Sequence, residues 1–149
     1  MATSWIPKGF HHVTPYLAVH GAAQTLDFVK RAFGGQEVLR MADPEGGLMH
    51  AEVKIGDSIV MIGEARGGRP AMPTSLYVYV ENVDAVYKQA LQAGGASTAE
   101  PADQFYGDRM GSVKDPAGNQ WMVATHQEDV SAEEMRRRAE ASMRQRKAA

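Results

Sequence analysis

Apolar residues recur at two spacings along this chain, and the alternation between the two repeats. Residues 13–20 alternate as a strand does, and residues 22–33 then place Leu26, Val29 and Phe33 at helical spacing before Gly34-Gly35 stops the helix. The same sequence of signals returns further on. Residues 74–81 read as a strand, and 83–93 carry Val83, Val86, Ala90 and Leu91 on one helical face, with Asn82 as N-cap and Gly94-Gly95 as the stop. The double glycines are 60 residues apart (Gly34 to Gly94), and Val19 and Val80 are 61 apart. After the first helix come strands at 36–42, 47–55 and 58–64, separated by turns at 43–47 and at Gly56-Asp57. After the second, the signal is weak over 96–105 and then resumes at 109–114 and 119–126, joined by Asp115-Pro116-Ala117-Gly118.

The order is therefore βαβββ twice. One such unit leaves a face of its short sheet uncovered, so two predict an α+β fold in which tandem modules form a curved, cup-shaped mixed sheet with helices on the convex side. The expected division is module 1 at about 10–64, a Gly- and Pro-rich linker at 65–73, module 2 at about 74–126, and a helical tail at 130–149, all within one domain over 1–149. The tail opens with a capping box at Ser131 and Glu134. Its apolar line through Met135, Ala139 and Met143 is narrow, so it either docks across the cup or on a partner, or frays as a charged end.

Composition narrows the chemistry. There is no cysteine, which removes disulfides, thiolate metal sites and cysteine nucleophiles. Sixteen Lys and Arg against eighteen Asp and Glu give a net charge of −2, too balanced for a chain that neutralises phosphates, so a small-molecule ligand is expected and nucleic acid is not. No stretch has the roughly 18 consecutive apolar residues of a membrane span, and the first residues lack a signal-peptide pattern. A cytoplasmic protein without a membrane role is the expectation.

Several local motifs occur together in order: Thr14-Pro15-Tyr16-Leu17, residues 28–34, His50-Ala51-Glu52 running into Ile55-Gly56-Asp57-Ser58, Phe105-Tyr106-Gly107-Asp108-Arg109, Asp115-Pro116-Ala117-Gly118-Asn119-Gln120-Trp121, and Ala124-Thr125-His126 with Glu128-Asp129. In this combination, from about residue 9 to about 138, the chain resembles the vicinal oxygen chelate superfamily (glyoxalase, bleomycin resistance, dioxygenase), and within it the PhnB-like branch. The resemblance implies a homodimer. It also implies metal ligands, His or Glu in metal-using members, at one position on the first and last strand of each module. Those positions fall here at Thr14, Met61, Ser75 and Met122. Neutral hydroxyls and soft thioethers do not suit the zinc, manganese or nickel of glyoxalase-type sites, so no metal cofactor is expected. The function this implies is metal-independent binding of a small molecule, to sequester or sense it. The rival is a metal-dependent lyase, isomerase or dioxygenase with displaced ligands drawn from His50, Glu52, Glu64 and His126.

Period two assigns the faces. Leu17, Val19, Val60, Ile62, Leu76, Val78, Val80, Trp121 and Val123 belong to the helix side. The opposite side, the cup lining, comprises Thr14, Tyr16, Ile59, Met61, Ser75, Tyr77, Tyr79, Gln120, Met122 and Ala124: aromatic, thioether and hydroxyl, with little charge. Such a surface either binds a ligand or packs against itself or a second subunit. His50 and Glu52 share a polar strand face, as a base with its orienter, a pair of metal ligands, ligand contacts or a wet surface. Arg109 offers a planar fork to a carboxylate or phosphonate ligand, or pairs with Asp108 or another acid. His12 and His126 lie at strand ends, where they cap or reach the cup.

Overall fold

The structure, a computed structural model, describes residues 2–149. Eleven elements follow one another: β1 (Tyr16–Val19), α1 (Ala22–Phe33), β2 (Gln36–Ala42), β3 (Leu48–Ile55), β4 (Ser58–Glu64), β5 (Ser75–Tyr79), α2 (Val83–Gln92), β6 (Ala96–Asp103), β7 (Asp108–Lys114), β8 (Gln120–His126) and α3 (Ala132–Ala148). The βαβββ order occurs twice, as the repeat predicts. Each module makes its own four-stranded sheet, in the order β1-β4-β3-β2 and β5-β8-β7-β6, so the mixed sheet of the α+β fold is built as two separate ladders.

In both sheets the module's first strand runs parallel to its last, and the other pairs are antiparallel. The registers repeat residue by residue: Tyr16 faces Met61 in the first module, and Tyr77 faces Met122 in the second, 61 residues later in each strand. The weak signal at 96–105 is a real strand. β6 is an edge strand exposed over nearly its whole length, so it has neither an apolar stripe nor an alternation to announce it.

Both helices end as written in the sequence but start differently. Asn82 caps α2 by accepting from the Ala85 N–H at 3.1 Å. α1 has no side-chain cap of its own, and Gly21 enters it at φ 85°, a left-handed conformation that glycine adopts without strain. The missing acceptor comes from the end of β4: the Glu64 carboxylate accepts from the Gly21 N–H (3.1 Å) and the Ala22 N–H (3.0 Å).

The helices cover one face of each sheet and pack against each other. Gln89 donates to the Arg31 carbonyl at 2.8 Å, and a single apolar core runs from Leu17, Leu26, Phe28 and Ile62 to Tyr87, Val113 and Trp121. Trp121 is fully buried and stacks near Phe33, with ring centroids 4.8 Å apart. Its indole N–H donates to Asp115, which also accepts from Ala117, Asn119 and the Asn119 side chain, so the β7–β8 turn is tied to the core. Tail helix α3 buries no residue. It is capped by Ser131, which accepts from the Glu134 N–H, and held by Arg138, which donates to the Phe105 carbonyl at 3.2 Å and to Glu128 at 2.5 Å.

Candidate functional site

With the helices on one face, each sheet keeps an open face. Leu17, Val19, Val60, Ile62, Trp121 and Val123 are all buried, as the helix-side assignment requires; Leu76, Val78 and Val80 are partly buried, and Ile59 and Ala124, expected on the open side, are buried as well. Thr14 and Met61 therefore belong to the open side of the first module, Ser75 and Met122 to that of the second. Their thioether and hydroxyl donors do not fit a divalent metal of the glyoxalase type. Among the described residues, no three His, Cys, Asp or Glu side chains converge in a way that would hold one.

On the first open face the ladder sets Tyr16, Met61 and Glu52 in one row, with His50 and Gly63 in the next. The Tyr16 ring leans over Gly63, where a Cβ would collide with the phenol, and lies 6.0 Å from the His50 ring. Arg69, from the linker, fixes it there by donating to the Tyr16 hydroxyl at 2.6 Å with its guanidinium 5.0 Å from the ring centroid. Residues ahead of β1 fold back over this face. Trp5, Ile6, Pro7, Phe10, His11 and His12 roof a cavity of about 440 Å³ whose floor is Thr14, Glu52 and Met61. That volume is ample for a small organic molecule. Glu52 is 14% exposed, and its ionic neighbour is His50 Nε2 at 3.7 Å, beyond hydrogen-bond reach.

The second open face holds a hydrogen-bonded cluster instead of a cavity. Asp108, 3% exposed, accepts from the Tyr77 hydroxyl at 2.7 Å and the Tyr79 hydroxyl at 2.9 Å through one oxygen, and pairs with His126 Nδ1 at 2.8 Å through the other. Tyr106 extends it, 3.2 Å from the Tyr77 hydroxyl, and Asp129 pairs with His126 Nε2 at 2.8 Å. Burial by itself would raise the Asp108 carboxyl, but hydrogen bonds from His126, Tyr77 and Tyr79 outweigh it and hold the group below the ordinary carboxylate value. His126 is pushed up by its bonds to Asp108 and then Asp129, against desolvation. Tyr77 is raised far out of the usual phenol range, first by burial and then by its bonds to Tyr106 and Asp108. Tyr79 is raised chiefly by its bond to Asp108. The cluster thus sets two phenol donors and an imidazole around one buried carboxyl group, and the directions of the shifts favour the ionic pairing of His126 with Asp108.

Not all candidates come together. Arg109 sits on the strand face opposite Asp108 and holds the start of α2, donating to both Asp84 oxygens at 3.0 Å and to Asp103 at 3.3 Å. Glu64 is taken up at the α1 terminus. Gln120 donates to Ser112 at 3.0 Å, and Ser75 is exposed at the start of β5. A cleft of about 460 Å³ between the modules is lined by Phe33, Val60, Leu76 and Val78 among others; it includes the predicted site residues Tyr77 and Tyr79 but none of the four strand positions. Sequence reasoning missed Asp108 as the centre of a network, although period two from Met110 and Ser112 puts it on their face. It also missed the roof, because residues 2–12 have no periodicity to read.

Comparisons with known proteins agree with this architecture. The family model described as the Glyoxalase/Bleomycin resistance protein/Dioxygenase superfamily matches residues 9–123. The uncharacterized protein Rv0887c of Mycobacterium tuberculosis (strain H37Rv) is 34% identical over 134 residues, covering 83% of this chain and 79% of that protein. Among solved structures, TioX from Micromonospora sp. ML1 superposes with a TM-score of 0.66 at 26% identity, covering 78% of this chain and 98% of its own. A PhnB protein from Bacillus cereus, described as a putative 3-demethylubiquinone-9 3-methyltransferase, shares the fold at TM-score 0.61 and 21% identity, over 77% of this chain and 99% of its own.

Proposed function

The chain belongs to the Glyoxalase/Bleomycin resistance protein/Dioxygenase superfamily, and we propose that within it this protein binds a small organic molecule without a metal, to sequester or to sense it. One observation carries the reading. Thr14 and Met61, the positions that the family resemblance assigns to ligands in metal-using members, line the floor of a cavity of about 440 Å³ whose other surfaces are aromatic and apolar apart from Glu52 and the histidines. Thioethers and aromatic rings adapt to irregular apolar shapes, and the few polar groups orient the guest.

Calorimetric titration against a panel of metabolites and antibiotics tests this, with Trp5 as the fluorescent reporter. Trp5 is 78% exposed on the cavity roof, whereas Trp121 is sealed in the core. Saturable binding by metal-free protein is the expected result. A protein that binds no panel member, but turns over a substrate once Ni²⁺ or Mn²⁺ is added, would sink the reading.

A homodimer, one domain over 1–149 and a cytoplasmic site of action belong to the same proposal. The open face of module 2 leaves Tyr79 62% exposed, and β2 exposes Val38, Leu39 and Met41, apolar surface of the kind that subunit contacts cover. Light scattering at micromolar concentration should give twice the 16.2 kDa chain mass, and cell fractionation checks the location. No helix among the described residues is long and apolar enough to cross a membrane.

A further inference from the structure

The cavity under the N-terminal roof holds an acidic group that no Lys or Arg among the described residues balances. Glu52 projects from the middle of β3 and is mostly buried, at 14% exposure. Its row neighbour across β4 is Met61, a thioether. Among the described residues no Lys or Arg comes within ion-pair range of it, and no hydrogen-bond donor reaches its carboxylate. His50 stands at 3.7 Å and is charged only when protonated. A carboxylate held against apolar walls with its lone pairs unmet is costly, and the cost falls when a cation arrives.

The surrounding walls suit an organic cation in particular. Trp5 and His12 meet edge to face at 5.2 Å, and with Phe10 they line the same space as Glu52. Aromatic faces present negative potential to a cation, and a weakly hydrated ammonium or amidinium surrenders its water to them more readily than a metal ion does. A metal ion would find one carboxylate, one hydroxyl, one thioether and the imidazoles of His11 and His12, but among the described residues no three His, Cys, Asp or Glu side chains converge to hold one. An anionic guest would meet Glu52.

We infer that the roofed cavity of module 1 takes organic cations, amines or quaternary ammonium groups attached to an apolar body, with Glu52 as the counter-charge and Trp5 and Phe10 as the aromatic wall. This rests on the small-molecule binding reading above and names the ligand class for that same site.

Three probes of similar size separate the possibilities: benzyltrimethylammonium, benzyl alcohol and benzoate, titrated by calorimetry and by Trp5 fluorescence into the full chain. The cation should bind at least about tenfold more tightly than the other two, and Glu52→Gln, which keeps size and shape, should remove about that factor. Trp5→Ala alters an exposed roof residue, so folding is not at issue, and it should weaken the cation about threefold or more. Should Glu52→Gln fail to fold, the Trp5→Ala result and the three-probe ranking still decide. Benzyl alcohol or benzoate binding as well as the cation, or folded Glu52→Gln binding it unchanged, would overturn the ligand class and leave small-molecule binding standing. No response to any of the three at millimolar concentration overturns the inference as well, and the wider panel then judges the binding reading separately.

Discussion

Replacing Asp108 with Asn tests whether the second open face is organised by a buried anion. The carboxylate is 3% exposed, and its two oxygens are both in use: Oδ2 accepts from Tyr77 and Tyr79, and Oδ1 faces His126. An amide of the same shape offers one acceptor where two are needed. Turned one way, its NH₂ meets two phenol donors; turned the other, it meets the imidazole N–H. Hydrogen bonds to charged groups contribute about 1.5–3 kcal/mol each when well formed. Two of the partners keep substantial access to water, Tyr79 at 62% and Tyr77 at 37% exposed, so water replaces part of what is lost. A net cost of about 2–3 kcal/mol follows. At roughly 2–4 °C per kcal/mol for a chain of this size, Tm falls by about 5–10 °C. Thermal unfolding by circular dichroism at fixed protein concentration measures it. The companion is a double-mutant cycle with Tyr77→Phe, whose effect should largely vanish in the Asp108→Asn background because the acceptor is already spoiled. A Tm change under 2 °C, or a Tyr77→Phe cost that is the same in both backgrounds, would show that the cluster is a surface arrangement without energetic coupling.

Four further outcomes follow from the same geometry. Because His126 titrates above its ordinary value in the folded protein and Asp108 below its own, the stability from their pairing is complete between the two ordinary ranges. It is lost on the alkaline side as pH rises through the raised His126 value and on the acid side as pH falls through the depressed Asp108 value; His126→Gln should flatten the alkaline arm in denaturant titrations against pH. Glu64→Gln weakens the acceptor for Gly21 and Ala22, and urea unfolding should show a loss of about 1 kcal/mol without a change in m-value. Gly107→Ala meets both a left-handed φ of 102° and the Glu128 carbonyl, so a loss of more than about 2 kcal/mol is expected, read as a drop in Tm or in soluble yield. Gly63→Ala should expel the Tyr16 ring from its seat and break the Arg69 contact, detectable as a changed Tyr16 ring environment by NMR with little change in the helical circular dichroism signal.

The parts of the fold legible in the sequence are those with local causes. Helical spacing and double glycines mark α1 and α2 because each helix has one buried stripe and ends where a residue must leave helical geometry. The turn from Asp115 to Asn119 declares itself because its side-chain acceptors lie within a few residues of their donors. What sequence reading missed is long-range or depends on an edge. The α1 terminus is satisfied by Glu64, 43 residues away from Gly21, and nothing near Gly21 says so. Arg109 and Asp108, adjacent and oppositely charged, invite pairing, yet strand alternation sends them to opposite faces, one to Asp84 and the other to two tyrosines and a histidine. The cavity roof comes from residues 5–12, which carry no hydrophobic periodicity and lie far in sequence from Glu52 and Met61 beneath them.

Why the two open faces diverged from a common plan comes down to a single methyl group. Tyr16 and Tyr77 occupy equivalent positions, each beside a methionine of the closing strand. Sixty-one residues separate Gly63 from Ala124, so the glycine over which the Tyr16 ring lies has an alanine as its counterpart. With no Cβ at 63, the first phenol folds down onto its own sheet, where Arg69 holds it, and the space beyond it toward Glu52 and Met61 stays open beneath the roof. With a buried Cβ at 124 that seat is filled. The second phenol reaches instead to Asp108, which together with Tyr106 and His126 uses its hydrogen-bonding capacity internally. A network whose donors and acceptors already satisfy one another has little left to offer a ligand, whereas the first face keeps a cavity and a carboxylate whose one ionic neighbour among the described residues is His50 at 3.7 Å. On the proposed reading, ligand recognition falls to module 1. The anchoring of the tail falls to module 2, through Asp129 on His126 and Arg138 on Phe105.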